Sequence, residues 1–507
     1  MKVIDEYQLP NCVAKIKVEI ARDEDELVTE YRADFPTIGE GTRLTLNEIK
    51  IELLSRTKVP VEKMADSKFI EQVKSDFAQI AEELLKRKLP PQDRAEIEIL
   101  KEILIGEMLG LGNIEYILLD DNVEEIVINS AIEPAWIYHK KHGWLKSNLI
   151  IESEKEIENI AAIIARRSGK QINVLAPLLD AHLPSGDRAN STLSPISSRG
   201  NTITIRRFRR KPWTVTELVD FGSVSSEAMA LVWMAFEYEL NVLITGGTAS
   251  GKTSFLNACT SFIRPNQRVI TIEDTRELTL PQFLHWVALT TRLSNTEGKG
   301  EITMLDLLVN SLRMRPDRII VGEVRRQAEA EVMFEAMNTG HSVYTTFHAD
   351  TADETIRRFS NPPIALPQAM LDSISINITL FRNRKTGKRA VYQISEIVVE
   401  DRADDKQAKP NVLFRYSNIH NQIIKQKESV KFFDEIGMHT GLTPKEIEEE
   451  LTEKKKIIEW LVGRKVFDLE ELALIFAKYY FDKEKVINFA KENKDPKALL
   501  KKKTAQN

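Results

Sequence analysis

A chain of 507 residues has room for two or three domains at about 100–200 residues each. Hydrophobic residues at 42% and charged residues at 29% exclude a disordered or fibrous protein. With 71 basic against 76 acidic side chains, a formal charge of −5, there is no global attraction to nucleic acid or anionic membrane, and such contacts need a local patch.

The opening residues, MKVIDEYQLP, are polar and mixed in charge, with no apolar segment behind a basic start, so no targeting signal is expected. Residues 1–60 mix short strand-like runs, the clearest at 13–20, with charged loops. From 61 to 111 apolar side chains recur at helical spacing: Phe69, Ile70, Val73, Phe77, Ile80 and Leu84, then Ile97, Leu100, Ile103 and Leu104. Pro90 and Pro91 separate two helices there. Residues 112–210 carry short β-rich runs at 125–129, 135–139 and 203–208 around a helical stretch at 153–167, the pattern of a small α+β domain. A basic, proline-bearing segment at 210–214 reads as a hinge, with 211–217 as the linker.

Residues 218–400 alternate strand and helix, within an ATPase domain expected over 218–428. Strand-like runs at 241–245, 268–273, 318–323 and 342–346 are separated by helical spans such as 253–262, 304–314 and 328–338, which implies a largely parallel sheet covered by helices. The apolar stretch at 231–243 is broken by Glu237 and Glu239, and no run reaches the ~18 apolar residues of a membrane span. After Glu400 a charged loop is expected, then a helical, Lys/Glu-rich tail over 429–507. Two cysteines, Cys12 and Cys259, make neither a disulfide framework nor a four-cysteine zinc site, and their rarity suits a reducing cytoplasm.

The strongest motif is Gly246-Gly247-Thr248-Ala249-Ser250-Gly251-Lys252-Thr253, which satisfies G-x-x-x-x-G-K-[ST] between an apolar strand and a helix that continues through Ser254. Glycines let backbone amides converge on phosphate oxygens, and the helix adds its positive N-terminal end. Lys252 then reaches the β- and γ-phosphates of ATP, and the Thr253 hydroxyl binds Mg2+. Chance produces such a match in on the order of one chain in a hundred of this length. The required strand and helix context lowers that further.

Two apolar runs end in acid, which brings carboxylates to the same sheet edge as the loop. One is 269–274, closing on Glu273 and Asp274 with Glu277 beyond; the other is 318–323, closing on Glu323. Hydrolysis needs one acid at the metal and another at the attacking water. Gly322 stands where an aspartate is usual, so Glu323 takes the water-activating role, and Glu273 or Glu277 supplies the metal-side carboxylate. Downstream, His341 and His348 sit seven residues apart around one strand and point to opposite faces, which disfavours a shared metal. Hydrogen bonding to the γ-phosphate or to neighbouring switch residues is the functional reading.

Taken together these blocks resemble the GspE-like secretion and type IV pilus ATPase superfamily. GGTASGKT looks like its Walker A motif and ITIEDTRE like its Asp box; VGEVRRQAEAEVMFEAMNTGHSVYTTFHAD looks like Walker B running into the His box. Upstream, LGNIEYILLDDNVEEIVIN and APLLDAHLPSGDRAN resemble its N-terminal domain. The match spans roughly residues 110–385 and looks closest to archaeal members, relatives of the archaellum motor. The resemblance implies an α/β fold: a RecA-like P-loop core, a separate α+β N-terminal domain and a helical C-terminal extension. It also implies a homo-hexamer acting on a polytopic platform protein of the cytoplasmic membrane, and through it on pilin-like or secreted substrates. Nucleotide then lies at the cleft between the N-terminal and ATPase domains, where Arg188, Arg206 or Arg207 is the candidate arginine finger. The tetracysteine zinc insert of many bacterial members is missing, so zinc is not expected. A DNA-translocating ring is the rival class, disfavoured by the net acidic charge and the single short basic cluster at 206–211.

Overall fold

The computed structural model describes residues 2–10, 12–23, 26–56, 67–89, 93–183, 185–208, 211–292, 294, 299–402 and 405–500. The Pro90–Pro91 break and Arg210, where the expected hinge begins, lie outside the described residues. Internal contacts divide the chain into two compact units, Met1–Arg209 and Arg210–Asn507.

The first unit is built on a nine-stranded sheet. Its spatial order is Lys2–Gln8, Lys17–Arg22, Glu30–Ala33, Gly143–Ile150, Pro134–His139, Val123–Ile128, Thr202–Arg206, Arg188–Thr192 and Leu178–His182. Pairing is antiparallel throughout except between Glu30–Ala33 and Gly143–Ile150. Helix Glu154–Arg167, capped by Ser153, lays Ile157, Ile160, Ala161 and Ile164 into the core beneath this sheet. The sheet therefore runs across the boundary expected at 111/112: strands from the first 33 residues join those of 123–206 in one core. Pairing between segments a hundred residues apart leaves no mark in local composition.

Three helices, Glu40–Arg56, Ser67–Lys88 and Arg94–Leu109, share a smaller core containing Leu46, Ile49, Leu53, Phe77, Leu84, Leu100 and Leu104. The first was not anticipated, because its apolar residues occupy both faces. Leu46, Ile49 and Leu53 are buried while Leu44, Ile51 and Leu54 are exposed, so no single helical stripe stands out. The strand expected at 13–20 forms later, at Lys17–Arg22.

The second unit carries another nine-stranded sheet, ordered His285–Thr290, Arg268–Glu273, Arg318–Val321, Ser342–Phe347, Val242–Gly246, Ile376–Arg382, Arg389–Arg402, Asp405–Ser417 and Gln422–Lys425. The first six strands are parallel and the last three antiparallel. Val242–Gly246, Arg318–Val321 and Ser342–Phe347 are buried along their whole length, as strands covered by helices on both faces must be. Where a charged loop was expected after Glu400, the chain makes a long hairpin, paired from Gln393 with Arg415 out to Arg402 with Asp405. Its alternating charged and apolar residues suit a partly exposed antiparallel ribbon.

Helices Phe432–Thr440, Pro444–Gly463, Leu469–Phe481 and Lys483–Lys491 follow. They do not form an appendage, because their apolar faces complete the core under the sheet. Trp233, on helix Ser226–Glu237, stacks on Phe262 at 5.3 Å and meets Phe476 at 4.6 Å and Tyr479 at 5.0 Å. The ammonium of Lys454, fully buried, sits 2.8 Å from Glu237 and also pairs with Glu450. The buried carboxylate of Glu396 accepts hydrogen bonds from the Phe432 amide at 2.8 Å and from Asn411 at 2.9 Å, pinning the start of the helical region to the hairpin. The expected linker is also ordered in part: Thr214 caps helix Val215–Asp220, and the Thr216 hydroxyl donates to the Val466 carbonyl. Among the described residues no helix is long and apolar enough to cross a membrane.

Candidate nucleotide-binding site

Parallel strands deliver their C-terminal ends to one sheet edge, and the site assembles there. Strand Val242–Gly246 runs into the phosphate loop. A side chain at Gly246 would come within 2.4 Å of the Leu380 carbonyl, and the residue has φ 147°. Only glycine permits that approach. Gly251, at φ 96°, opens helix Lys252–Cys259, whose N-terminus has no side-chain cap, so its first amides are left for a ligand. The Ser250 hydroxyl is buried and has no hydrogen-bond partner. Ala249 takes the left-handed conformation at φ 58°, and its carbonyl is held by Arg389 Nε at 3.0 Å. Thr248 and Ser254 are exposed on either flank, and Thr253 is half-buried at the first helical turn.

Lys252 is buried and its ammonium spans the loop, donating to the carbonyls of Gly246 at 2.9 Å and Gly247 at 3.2 Å. It lies 3.3 Å from His348 Nδ1. Burial lowers the lysine pKa, and the negative charges of Glu323, Asp350 and Glu277 oppose that shift. His348 follows strand Ser342–Phe347, and its Nε2 is 2.7 Å from Glu323 Oε1. Burial, then the Lys252 charge, pushes the imidazole pKa down. A neutral ring accepts from Lys252 at Nδ1, while Nε2 stands at ion-pair distance from Glu323 Oε1, a buried oxygen with no hydrogen-bond partner. Glu323 Oε2 accepts from Arg325 Nε at 2.9 Å and Nη2 at 2.5 Å, while Arg325 Nη1 holds Asp274 at 2.9 Å.

Glu273 ends the neighbouring strand. Its Oε1 accepts from the amides of Glu277 at 2.8 Å and Leu278 at 3.0 Å, and its Oε2 is buried without a partner. Burial pushes its pKa up to about 7. A side chain at Gly322 would meet Glu273 Cγ at 3.4 Å, an ordinary van der Waals contact. Among the described residues no group of three or more His, Cys, Asp or Glu side chains can hold a metal ion alone.

The parallel strand ends thus gather the loop residues, Glu273, Glu323 and His348. His341 is not among them. It precedes the strand that His348 follows, about 20 Å away at ~3.3 Å per residue, and its Nδ1 lies 3.2 Å from the Thr339 hydroxyl. In the first unit, Arg207 is nearly buried and holds the carbonyls of Asp120 and Val123 and the Asp121 carboxylate. Arg188 and Arg206 are exposed and directly paired across adjacent strands, with Arg188 gripping Asp180 at 3.1 and 2.8 Å.

Sequence reasoning gave no role to four residues. Asp350 lies against the loop, 2.9 Å from where a Gly247 side chain would begin. Asp274 and Arg325 flank residues that had been singled out, and Arg389 comes from 140 positions downstream of Ala249 with no local signal.

An uncharacterized protein of Methanocaldococcus jannaschii, MJ0900, is 33% identical over 401 residues, covering 78% of this chain and 71% of its own. The type IV secretion system protein PtlH of Bordetella pertussis is 29% identical over 313 residues, 55% of this chain and 91% of PtlH. Among solved structures, the Legionella pneumophila ATPase DotB aligns at 20% identity with a TM-score of 0.41, covering 75% of this chain and 94% of DotB. The model of the family described as type II/IV secretion system protein matches residues 126–401, from the first unit's sheet through the phosphate loop to the antiparallel hairpin, and the chain belongs to that family.

Proposed function

We propose that the chain hydrolyses ATP as a hexameric mechanical motor for a secretion or type IV pilus-like apparatus at the cytoplasmic membrane. The observation that carries this reading is the run Lys252–His348–Glu323, which ties the phosphate loop to an acid at a neighbouring strand end. Backbone amides of Gly247 through Thr253 take the phosphate oxygens, and Lys252 exchanges two loop carbonyls for the β- and γ-phosphates. That exchange frees His348 Nδ1, while the ring stays beside Glu323, its Nε2 2.7 Å from Oε1. Glu323 aligns the attacking water and accepts its proton. Thr253 and Glu273 would hold Mg2+, which when bound neutralises charge on the phosphate oxygens. The partnerless Glu273 oxygen fits that use, since a nearby cation would stabilise its charged form. Glu277 adds negative charge on the same side. Arg188, Arg206 and Arg207 are the finger candidates.

The partner proposed with it is a polytopic membrane protein that anchors a cytoplasmic ring, with pilin-like or secreted substrates beyond it; the net acidic charge speaks against nucleic acid. An archaellum motor is the alternative machine. The experiment pairs binding with turnover. Lys252→Ala should abolish nucleotide binding in equilibrium dialysis. Glu323→Gln should keep ATP bound while phosphate release falls by about 100-fold or more, the scale of a lost general base. Undiminished hydrolysis by Glu323→Gln would overturn the mechanism.

A further inference from the structure

Three residues of the phosphate loop have positive φ: Gly246 at 147°, Ala249 at 58° and Gly251 at 96°. Glycine takes such angles freely, whereas a residue with a side chain brings its Cβ against the following carbonyl oxygen and is disfavoured there. Two of the three positions are therefore at ease by themselves, and Ala249 is the one that needs a hold from outside the loop. Arg389 supplies it. Its Nε donates to the Ala249 carbonyl at 3.0 Å, and its Cδ lies 3.8 Å from where a Gly251 side chain would begin.

The sheet fixes the arginine at that spot. Gly246 pairs with Leu380 and Leu380 with Val391, so strand Arg389–Arg402 starts level with the loop. The pairing passes from Thr379–Gln393 to Leu380–Val391, which leaves Tyr392 as an extra residue. Through that bulge Val391 and Ile394 both enter one core, and alternation puts Arg389 on the Val391 side. A regular ladder would turn Arg389 to the opposite face of the sheet. Its backbone is held on both flanks, by pairing with Arg382 and by the Ser223 hydroxyl, which donates to its carbonyl at 2.9 Å.

We infer that Arg389 is a positioning residue for nucleotide binding: it holds Ala249 in the left-handed conformation and so shapes the phosphate loop before a ligand arrives. The inference rests on the phosphate-loop reading above. The arginine acts on the loop and through it on the phosphates, so a residue at 249 that adopts positive φ unaided makes the arginine dispensable.

The test is titration calorimetry on the full chain with ATP and Mg2+. Arg389→Met keeps an aliphatic stem beside Gly251 and deletes the donor, and affinity should fall about fivefold or more, the scale of a left-handed alanine without its hold. Adding Ala249→Gly to Arg389→Met should return affinity to within about twofold of wild type. An arginine that only supported its strand, or that gripped the phosphates itself, would not be replaced by a glycine in the loop. Arg389→Met that binds as tightly as wild type overturns the inference, and so does a loss that Ala249→Gly leaves unrepaired. Lys252→Ala keeps the two readings apart. If wild type binds ATP and Lys252→Ala does not, the phosphate loop stands whatever Arg389 does. If wild type binds none, or Lys252→Ala binds as wild type does, the loop reading and this inference fall together.

Discussion

At Glu273 burial and charge pull against each other. Its carboxyl pKa rises to about 7 from 4.5, so the native state holds a proton through a range in which the unfolded chain has released it. Native stability from this group is present below about pH 4.5 and is lost as pH climbs through 7, a change of about 2–3 kcal/mol between pH 5 and 8. Glu273→Gln removes that titration, so chemical denaturation should show the variant gaining on wild type by that amount over the same interval. A stability difference that does not vary with pH would refute the assignment. His348 runs the other way. Its depressed pKa means that the neutral ring is favoured in the native state, and the stability it contributes is lost as pH falls below the unfolded value of 6.5. Turnover should decline at still lower pH, below the depressed native pKa, where the folded ring itself becomes a cation beside Lys252, and His348→Gln should flatten that limb of the pH–rate profile. At this scale, what could be read in advance was what lies within a motif. The loop glycines, Lys252 and Glu323 carry their context on either side. Arg389 reaches the loop through a strand pairing that no local pattern announces.

At the scale of elements, the buried parallel strands were legible because burial on both faces enforces continuous apolar runs, as in Val242–Gly246 and Arg318–Val321. The antiparallel hairpin was not, since its charged alternation also describes a solvated loop. The same limit hid helix Glu40–Arg56, apolar on two sides. Nor did the Lys/Glu-rich tail disclose how firmly it docks. There Lys454 supplies positive charge to Glu450 and to one oxygen of Glu237, the other being held by Arg264 at 2.8 Å. Lys454→Met leaves those acids buried without their ammonium and should destabilise the unit by about 3–5 kcal/mol in urea denaturation. Adding Glu450→Gln should recover part of the loss. A single variant as stable as wild type would show that the buried cation carries no weight.

At the scale of the molecule, the division at Arg209 and the shared core of the second unit make opposite demands on truncation. The fragment 1–209 keeps its sheet and both of its cores and should unfold cooperatively on its own. The fragment 1–428 strips Phe432, Ile458, Phe476 and Tyr479 from the core around Trp233 and should be insoluble. Soluble, monodisperse 1–428 that still binds ATP would contradict that packing. The helix behind the phosphate-loop strand leans on the same aromatic cluster as the last helices of the chain. A load borne by those last helices therefore reaches the strand that feeds the nucleotide loop through close-packed rings, with no flexible joint between to absorb it. Such a motor would feel resistance at its C-terminal end as a change in its own hydrolysis rate.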